Sequence, residues 1–184
     1  LTDRDQRCIG MVTTRDMDRI RAIPHATMDS RSRLRVGATV GIEDADMDRV
    51  AMLIDEHVDV LMVLADPLQI KRSNDMVTHI RRQRAGHVEV LVGPTLTKDH
   101  ARSLIDAGAN ALFVRPDFPA DYTSCGIGNK ALSLVLDIVD VCKVHDLPVY
   151  IHGLTAADHM IKALVAGCHG LLVDESHDRT ASLQ

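Results

Sequence analysis

The sequence predicts an α/β protein made of repeated strand–helix units, and two observations support this. Short apolar runs recur along the chain, apolar at nearly consecutive positions, as in parallel strands buried on both faces. Amphipathic stretches separate the runs, as in helices that cover such a sheet. The expected strands are residues 34–40, 58–64, 88–92, 109–114, 147–151 and 170–173.

The intervening stretches show helical periodicity and helix-ending residues. Residues 43–57 place Met47, Val50 and Ile54 on one apolar stripe, and residues 98–107, 131–145 and 155–166 also read as helices. Gly108 and Gly167 fit C-terminal caps. Six strands with a helix expected in each of the five gaps between them form either an open doubly wound sheet or part of a (βα)8 barrel. No GxGxxG motif opens a helix, which weakens the dinucleotide-binding version of the open sheet.

Composition limits the class of protein. The chain has 184 residues, 46% of them hydrophobic and 2% aromatic, so it is long enough for one domain with an aliphatic core. No apolar run reaches the roughly 18 residues that span a bilayer, so we expect no membrane insertion. The net charge of −5 does not predict nucleic-acid binding. Four cysteines without metal-ligand spacing indicate an intracellular, reducing compartment and no metal site.

The two ends of the chain differ from its middle. Residues 8–13 read as a lone strand, and a short polar helix follows them. The tail after residue 176 is polar. We therefore divide the chain into an N-terminal appendage with a connector at 1–28, a main body at 29–176 and a loose tail at 177–184.

Several segments resemble one enzyme family, in the order of that family. Residues 4–17 (RDQRCIGMVTTRDM) resemble the closing strand and helix of a CBS motif, and residues 24–29 and 33–41 resemble the exit from the CBS pair of IMP dehydrogenases. VDVL at 58–61, ARSLIDAGA at 101–109 and KALVAG at 162–167 are similar to IMP dehydrogenases and GMP reductases. The resemblance implies an incomplete (βα)8 TIM-type barrel of about six parallel βα units, strands three to eight, preceded by a short CBS-like remnant.

The resemblance also implies where a purine-nucleotide site would lie. The family uses a cysteine nucleophile in a GPGSxC loop, and an ungapped count from Val114 puts Tyr122 at that cysteine. Cys125, three residues later, is either a displaced nucleophile or an ordinary loop thiol. The other family positions also differ. His152 stands in place of the ribose-binding Asp, and Asp174 and Glu175 stand in place of the phosphate-binding Gly-Ser. Leu64 and Ile70 replace the cofactor-side Asp and Ser, and Pro94 replaces an Asn.

Positions that pack match the family, whereas positions that perform chemistry do not. We therefore expect a catalytically degenerate member, a pseudoenzyme without a cofactor, that acts as a structural or interaction subunit of a larger assembly. The alternative is an active purine-nucleotide oxidoreductase that uses Cys125 and NAD or NADP. A third possibility, adenine-nucleotide sensing by the CBS remnant, is weak because one partial motif cannot form the paired site.

Partners are predicted from the incomplete barrel and from charge. The open strand edges of an incomplete barrel are expected to be covered by other protein chains or by a second copy of this chain. Basic clusters could contact RNA or an acidic partner, or simply form a solvated face; they comprise Arg31, Arg33, Arg35, Arg81, Arg82 and Arg84. The ten histidines are expected to be scattered over the surface. Asp44, Asp46 and Asp48 fit the first turn of a helix better than a calcium loop.

Overall fold

A computed structural model describes residue 2 and residues 4–30, 33–83, 88–115, 131–154 and 157–173. The chain divides into two compact units, residues 1–35 and residues 36–184. The sequence predicted this boundary after residue 28. Within the described ranges, no helix has the length and apolar character needed to span a membrane.

The first unit contains helix α1 (Thr14–Ala22) and little other regular structure. The lone strand expected at 8–13 does not form, because Cys8 makes only an isolated antiparallel bridge to Thr2 and residues 9–13 pair with no described strand. A strand is stable only when a neighbour satisfies its backbone groups. The helix expected after it is confirmed.

The second unit is a six-stranded parallel sheet. Its strands are β1 (Gly37–Val40), β2 (Val60–Leu64), β3 (Glu89–Gly93), β4 (Ala111–Val114), β5 (Val149–His152) and β6 (Gly170–Leu172). They lie in the order β1-β2-β3-β4-β5-β6, so each strand pairs with its predecessor in the chain. All five pairings are parallel. This is the arrangement of βα units in a barrel and not in a doubly wound sheet, whose strand order reverses.

Helices connect the strands. They are α2 (Asp44–Asp55), α3 (Ile70–Arg82), α4 (Lys98–Asp106), α5 (Ala131–Val144) and α6 (Ala157–Val165). The N-terminus of α2 is closed by Asp46, whose carboxylate accepts from the Glu43 N–H at 3.1 Å, as the acidic first turn predicted. Gly108 and Gly167 follow α4 and α6 with φ of +105° and +103°, which confirms both glycine caps.

The two faces of the sheet pack differently. One set of alternating strand residues faces the helices and is fully buried with them in the main core, for example Leu61, Val63 and Leu112. The other set forms a small second cluster around Leu91, Ala111 and Phe113. The half-buried residues on this inner face are Val60, Met62, Tyr150 and Leu172.

Candidate functional site

The carboxyl edge of the sheet is the expected place for a site, because parallel strands all end there and the following loops converge on it. Leu64, Pro94 and His152, three positions that the resemblance assigned to a site, lie at the ends of β2, β3 and β5. The structure therefore brings these three to one edge. Tyr122, Cys125, Asp174 and Glu175 fall outside the described residues.

Two family site positions at the β2 end of this edge are apolar. Leu64 is the last residue of β2 and is 45% exposed, and Ile70 is the exposed first residue of α3. Neither side chain can donate or accept a hydrogen bond. These residues therefore do not fit the ribose hydroxyls of a nicotinamide cofactor, which need polar partners.

The β3 end is closely packed against β4. A Cβ atom on Gly93 would lie 2.8 Å from the ring carbon Cδ1 of Phe113, so only glycine fits there. The peptide between Gly93 and Pro94 is cis, and Pro94 has no N–H to donate. Thr95 donates its N–H to the carbonyl of Phe113 at 3.0 Å, while the Thr95 hydroxyl is buried without a hydrogen-bond partner in the part of the chain that the structure describes.

The β4 and β5 ends carry Arg115 and His152. His152 lies edge-on to Phe113, with ring centroids 6.3 Å apart and an interplanar angle of 90°. Arg115 follows Val114, whose partner in register is Ile151, so Arg115 and His152 lie at the ends of neighbouring strands. Both residues make further interactions.

The described thiols are not suited to nucleophilic catalysis. Cys142 and Cys168 are buried, and burial raises the pKa of each to about 11, so the thiolate is scarce at neutral pH. Cys8 is exposed but belongs to the first unit. Within the described ranges, residues 36–173 therefore offer no activated thiol, and Cys125 alone remains a candidate from the sequence.

One histidine contradicts the expectation of scattered surface residues. His100, in the first turn of α4, is only 2% exposed, and neither ring nitrogen has a hydrogen-bond partner among the described residues. Burial lowers the pKa of His100 to about 4. The sequence indicates that His100 lies in the first turn of a helix, but not that it is buried. Thr97 is the N-cap residue of α4, and its hydroxyl accepts from the His100 backbone N–H at 3.2 Å. In the described part of the chain, no three His, Cys, Asp or Glu residues form a potential metal site.

Arg81, one of the six predicted basic residues, has a structural role. Its guanidinium donates to the carbonyl of Gly108 at 2.7 Å and to that of Val88 at 3.2 Å, tying α3 to the ends of two neighbouring elements. Arg82 is exposed, and Arg33 pairs with Asp29 at 2.8 Å. Arg35 is exposed, while Arg31 and Arg84 lie outside the described residues. RNA binding by the remaining arginines stays a prediction.

Comparison with known proteins agrees with the resemblance. A family model described as the IMP dehydrogenase / GMP reductase domain matches residues 10–180. Inosine-5'-monophosphate dehydrogenase of Rhizobium tropici is 29% identical over 177 residues, which are 94% of this chain and 35% of that protein. The Mycobacterium bovis protein of the same name is 33% identical over 171 residues, 91% of this chain and 32% of that protein.

The fold also matches solved structures. GMP reductase from Trypanosoma brucei, in complex with guanosine 5'-triphosphate, superposes with a TM-score of 0.80 at 27% identity, covering 95% of this chain and 42% of that one. The predicted partial (βα)8 architecture is thereby confirmed. The chain spans about a third of the length of the curated relatives that it matches.

Proposed function

Because this chain belongs to the IMP dehydrogenase / GMP reductase family, we propose that it is a catalytically degenerate member that serves as a structural or interaction subunit of a larger assembly. It would contribute six βα units of the family barrel as a scaffold. It would not bind a purine nucleotide or a nicotinamide cofactor productively.

The observation that carries this proposal is the character of the carboxyl edge. The described end of β2 presents exposed Leu64 and Ile70, and the β3 end presents Pro94, which lacks an N–H. A nucleotide has ribose hydroxyls and a phosphate, which need hydrogen-bond donors and acceptors at fixed positions. Apolar side chains there leave those ligand groups desolvated without partners, which costs binding free energy.

The inner face and the sheet edges support a role in assembly. Residues of the inner face stay half-buried around Phe113, and β1 and β6 each pair with only one described strand. In a closed barrel of this type, side chains from all strands fill the interior and no strand edge is free. We therefore expect further polypeptide, from a partner chain or a second copy, to cover these surfaces.

Nucleotide binding tests the catalytic part of this proposal. We expect no saturable binding of IMP or GMP by calorimetry at about 1 mM nucleotide, a concentration that would detect even weak sites. We also expect no change in nicotinamide absorbance with either nucleotide. The names of the relatives, inosine-5'-monophosphate dehydrogenase and GMP reductase, identify the reactions to assay.

Turnover that depends on Cys125 would contradict degeneracy. If wild-type chain oxidises IMP or reduces GMP and Cys125→Ala abolishes the reaction while Cys8→Ala does not, the chain is an active oxidoreductase with a displaced nucleophile. Cys8 is the matched control because it is an exposed thiol in the first unit.

The mass of the chain isolated from its source tests the assembly role. We expect a complex or an oligomer by size exclusion with light scattering. A stable monomer that retains its fold and associates with nothing would contradict the subunit role, whatever the nucleotide assays show.

A further inference from the structure

The C-terminal half of α5 stands as a ridge between two grooves. Its exposed residues are Asp140, Lys143 and Val144, which we call the α5 ridge. One groove, of about 260 Å³, lies between the ridge and α4, and a larger groove, of about 420 Å³, lies between the ridge and the C-terminal end of α6. Both are lined by residues that the structure describes. A ridge beside a groove is the shape with which helices of two surfaces interdigitate.

The ridge and the larger groove each expose an apolar side chain. Val144 on the ridge is 82% exposed, and Val165 in the larger groove is 83% exposed. These are the highest values for large hydrophobic residues in the described part of the second unit. Exposed apolar side chains that lie close to one another mark surfaces where another polypeptide binds.

The same surface carries charges of both signs without partners. Asp140 and Lys143 lie three residues apart on the ridge, and neither forms an ion pair within the described ranges. Asp146 lines the larger groove with them and also has no ion pair there. Two copies of such a surface, related by a twofold axis, can pair each sign with its opposite on the other copy.

We propose that the α5 ridge and the larger groove form a symmetric contact between two copies of this chain. The ridge of each copy lies in the larger groove of the other, so that Lys143 meets the carboxylates of Asp140 and Asp146 on the second copy. The exposed valines lie inside the contact. A second copy fits better than an unrelated chain because this one surface supplies both members of each charge pair. The contact uses the helix layer and not the inner face, and it does not depend on whether the chain is catalytic.

Sedimentation velocity of the purified whole chain measures this contact. We expect a monomer–dimer equilibrium with a dissociation constant on the order of 10 µM, as for a small interface. Lys143→Asp and Asp140→Lys should each weaken the dimer, the first by at least about ten-fold, because attraction becomes repulsion at two symmetry-related places. The double variant Asp140→Lys/Lys143→Asp exchanges the two signs on both copies, so it should dimerise more tightly than either single variant.

A polar helix face supplies the matched control. Lys71 and Asp75 lie four residues apart on α3, both are exposed, and neither forms an ion pair among the described residues. Lys71→Asp and Asp75→Lys should leave the dissociation constant unchanged within about two-fold. Val165→Ser should weaken the dimer about five-fold, since it removes apolar surface from the contact. Circular dichroism checks that each variant keeps its fold.

Three results would overturn the proposal. A purified chain that stays monomeric at about 100 µM has no such contact, and a complex found in the source would then still support the proposed assembly role. An oligomer that Lys143→Asp and Val165→Ser leave unchanged uses another surface. A double variant that dimerises more weakly than both single variants would show that Asp140 and Lys143 do not meet across the interface.

Discussion

The two faces of the sheet differ in how completely they are packed. On the helix-facing side Leu61, Val63 and Leu112 are fully buried. On the inner side only a small group around Phe113 is buried, and Leu64 is 45% exposed. The helix-facing side is covered by segments adjacent in sequence, so six βα units complete it by themselves. The inner side needs side chains from a whole ring of strands. Among the described residues, the helix-facing side is therefore covered more completely than the inner side.

Truncation of a helix-facing strand residue should have the largest effect on stability. Leu112→Ala removes a fully buried side chain from the centre of the main core. We expect the free energy of unfolding to fall by about 3–4 kcal/mol, because the lost burial adds to the cost of a cavity. Urea denaturation followed by circular dichroism measures this, and a loss below about 1 kcal/mol would show that the helix-facing side is not tightly packed.

Acid should destabilise the helix layer through His100. The pKa of His100 is lowered to about 4 in the folded state from 6.5, so above pH 6.5 neither state binds the proton and stability is unaffected. As the pH falls from 6.5 towards 4, the unfolded state binds the proton first and the folded state loses up to about 3 kcal/mol from this group.

A leucine at this position tests that assignment. His100→Leu should flatten this part of the pH dependence of unfolding, whereas His145→Gln, which changes an exposed histidine, should not. An identical pH profile for His100→Leu and the wild type would show that His100 is not the responsible group.

Loss of the Arg81 contacts should weaken the attachment of α3. Arg81→Met keeps the aliphatic stem beside Gly108 and removes the two hydrogen bonds to carbonyl groups. We expect a loss of about 2 kcal/mol in urea denaturation, as for hydrogen bonds with one charged partner. Arg82→Met changes the exposed neighbour and should lower the free energy of unfolding only slightly. Equal losses in the two variants would show that the Arg81 hydrogen bonds do not account for the effect.

The smallest effect is expected on the inner side. Leu64→Ser should lower the free energy of unfolding of the isolated chain by no more than about 1 kcal/mol, because the residue is 45% exposed and only partly packed there. The same variant should weaken any assembly that covers this face. A large loss in a verified monomer would mean that Leu64 is already packed.

Much of the fold could be predicted because strands and helices in βα units are encoded locally. The structure confirms the strand expected at 58–64 and the helix expected at 98–107 to within two residues at each end. The strand expected at 8–13 does not form, because a strand depends on a pairing partner that can lie far away in the sequence. Periodicity within one helix also did not reveal the burial of His100, since α4 packs between two other elements.

The positions of the candidate site were predictable only through the family resemblance. It matched Leu64, Pro94 and His152 to site positions of the family, and the structure brings these three to one edge of the sheet. The contact between His152 and Phe113, and the unpartnered Thr95 hydroxyl, could not be foreseen because each depends on the spacing of neighbouring strands.

The strand order also bears on how the protein forms during synthesis. Since every strand pairs with the one made just before it, each new βα unit can dock on a surface that has already left the ribosome. Because each pairing needs only the next βα unit and no more distant part of the chain, a strand can be covered soon after its synthesis, which limits the time for which its apolar residues are exposed. The growing end of the sheet is then always the most recently translated strand, and a pause in translation between two units would leave a smaller sheet of the same kind.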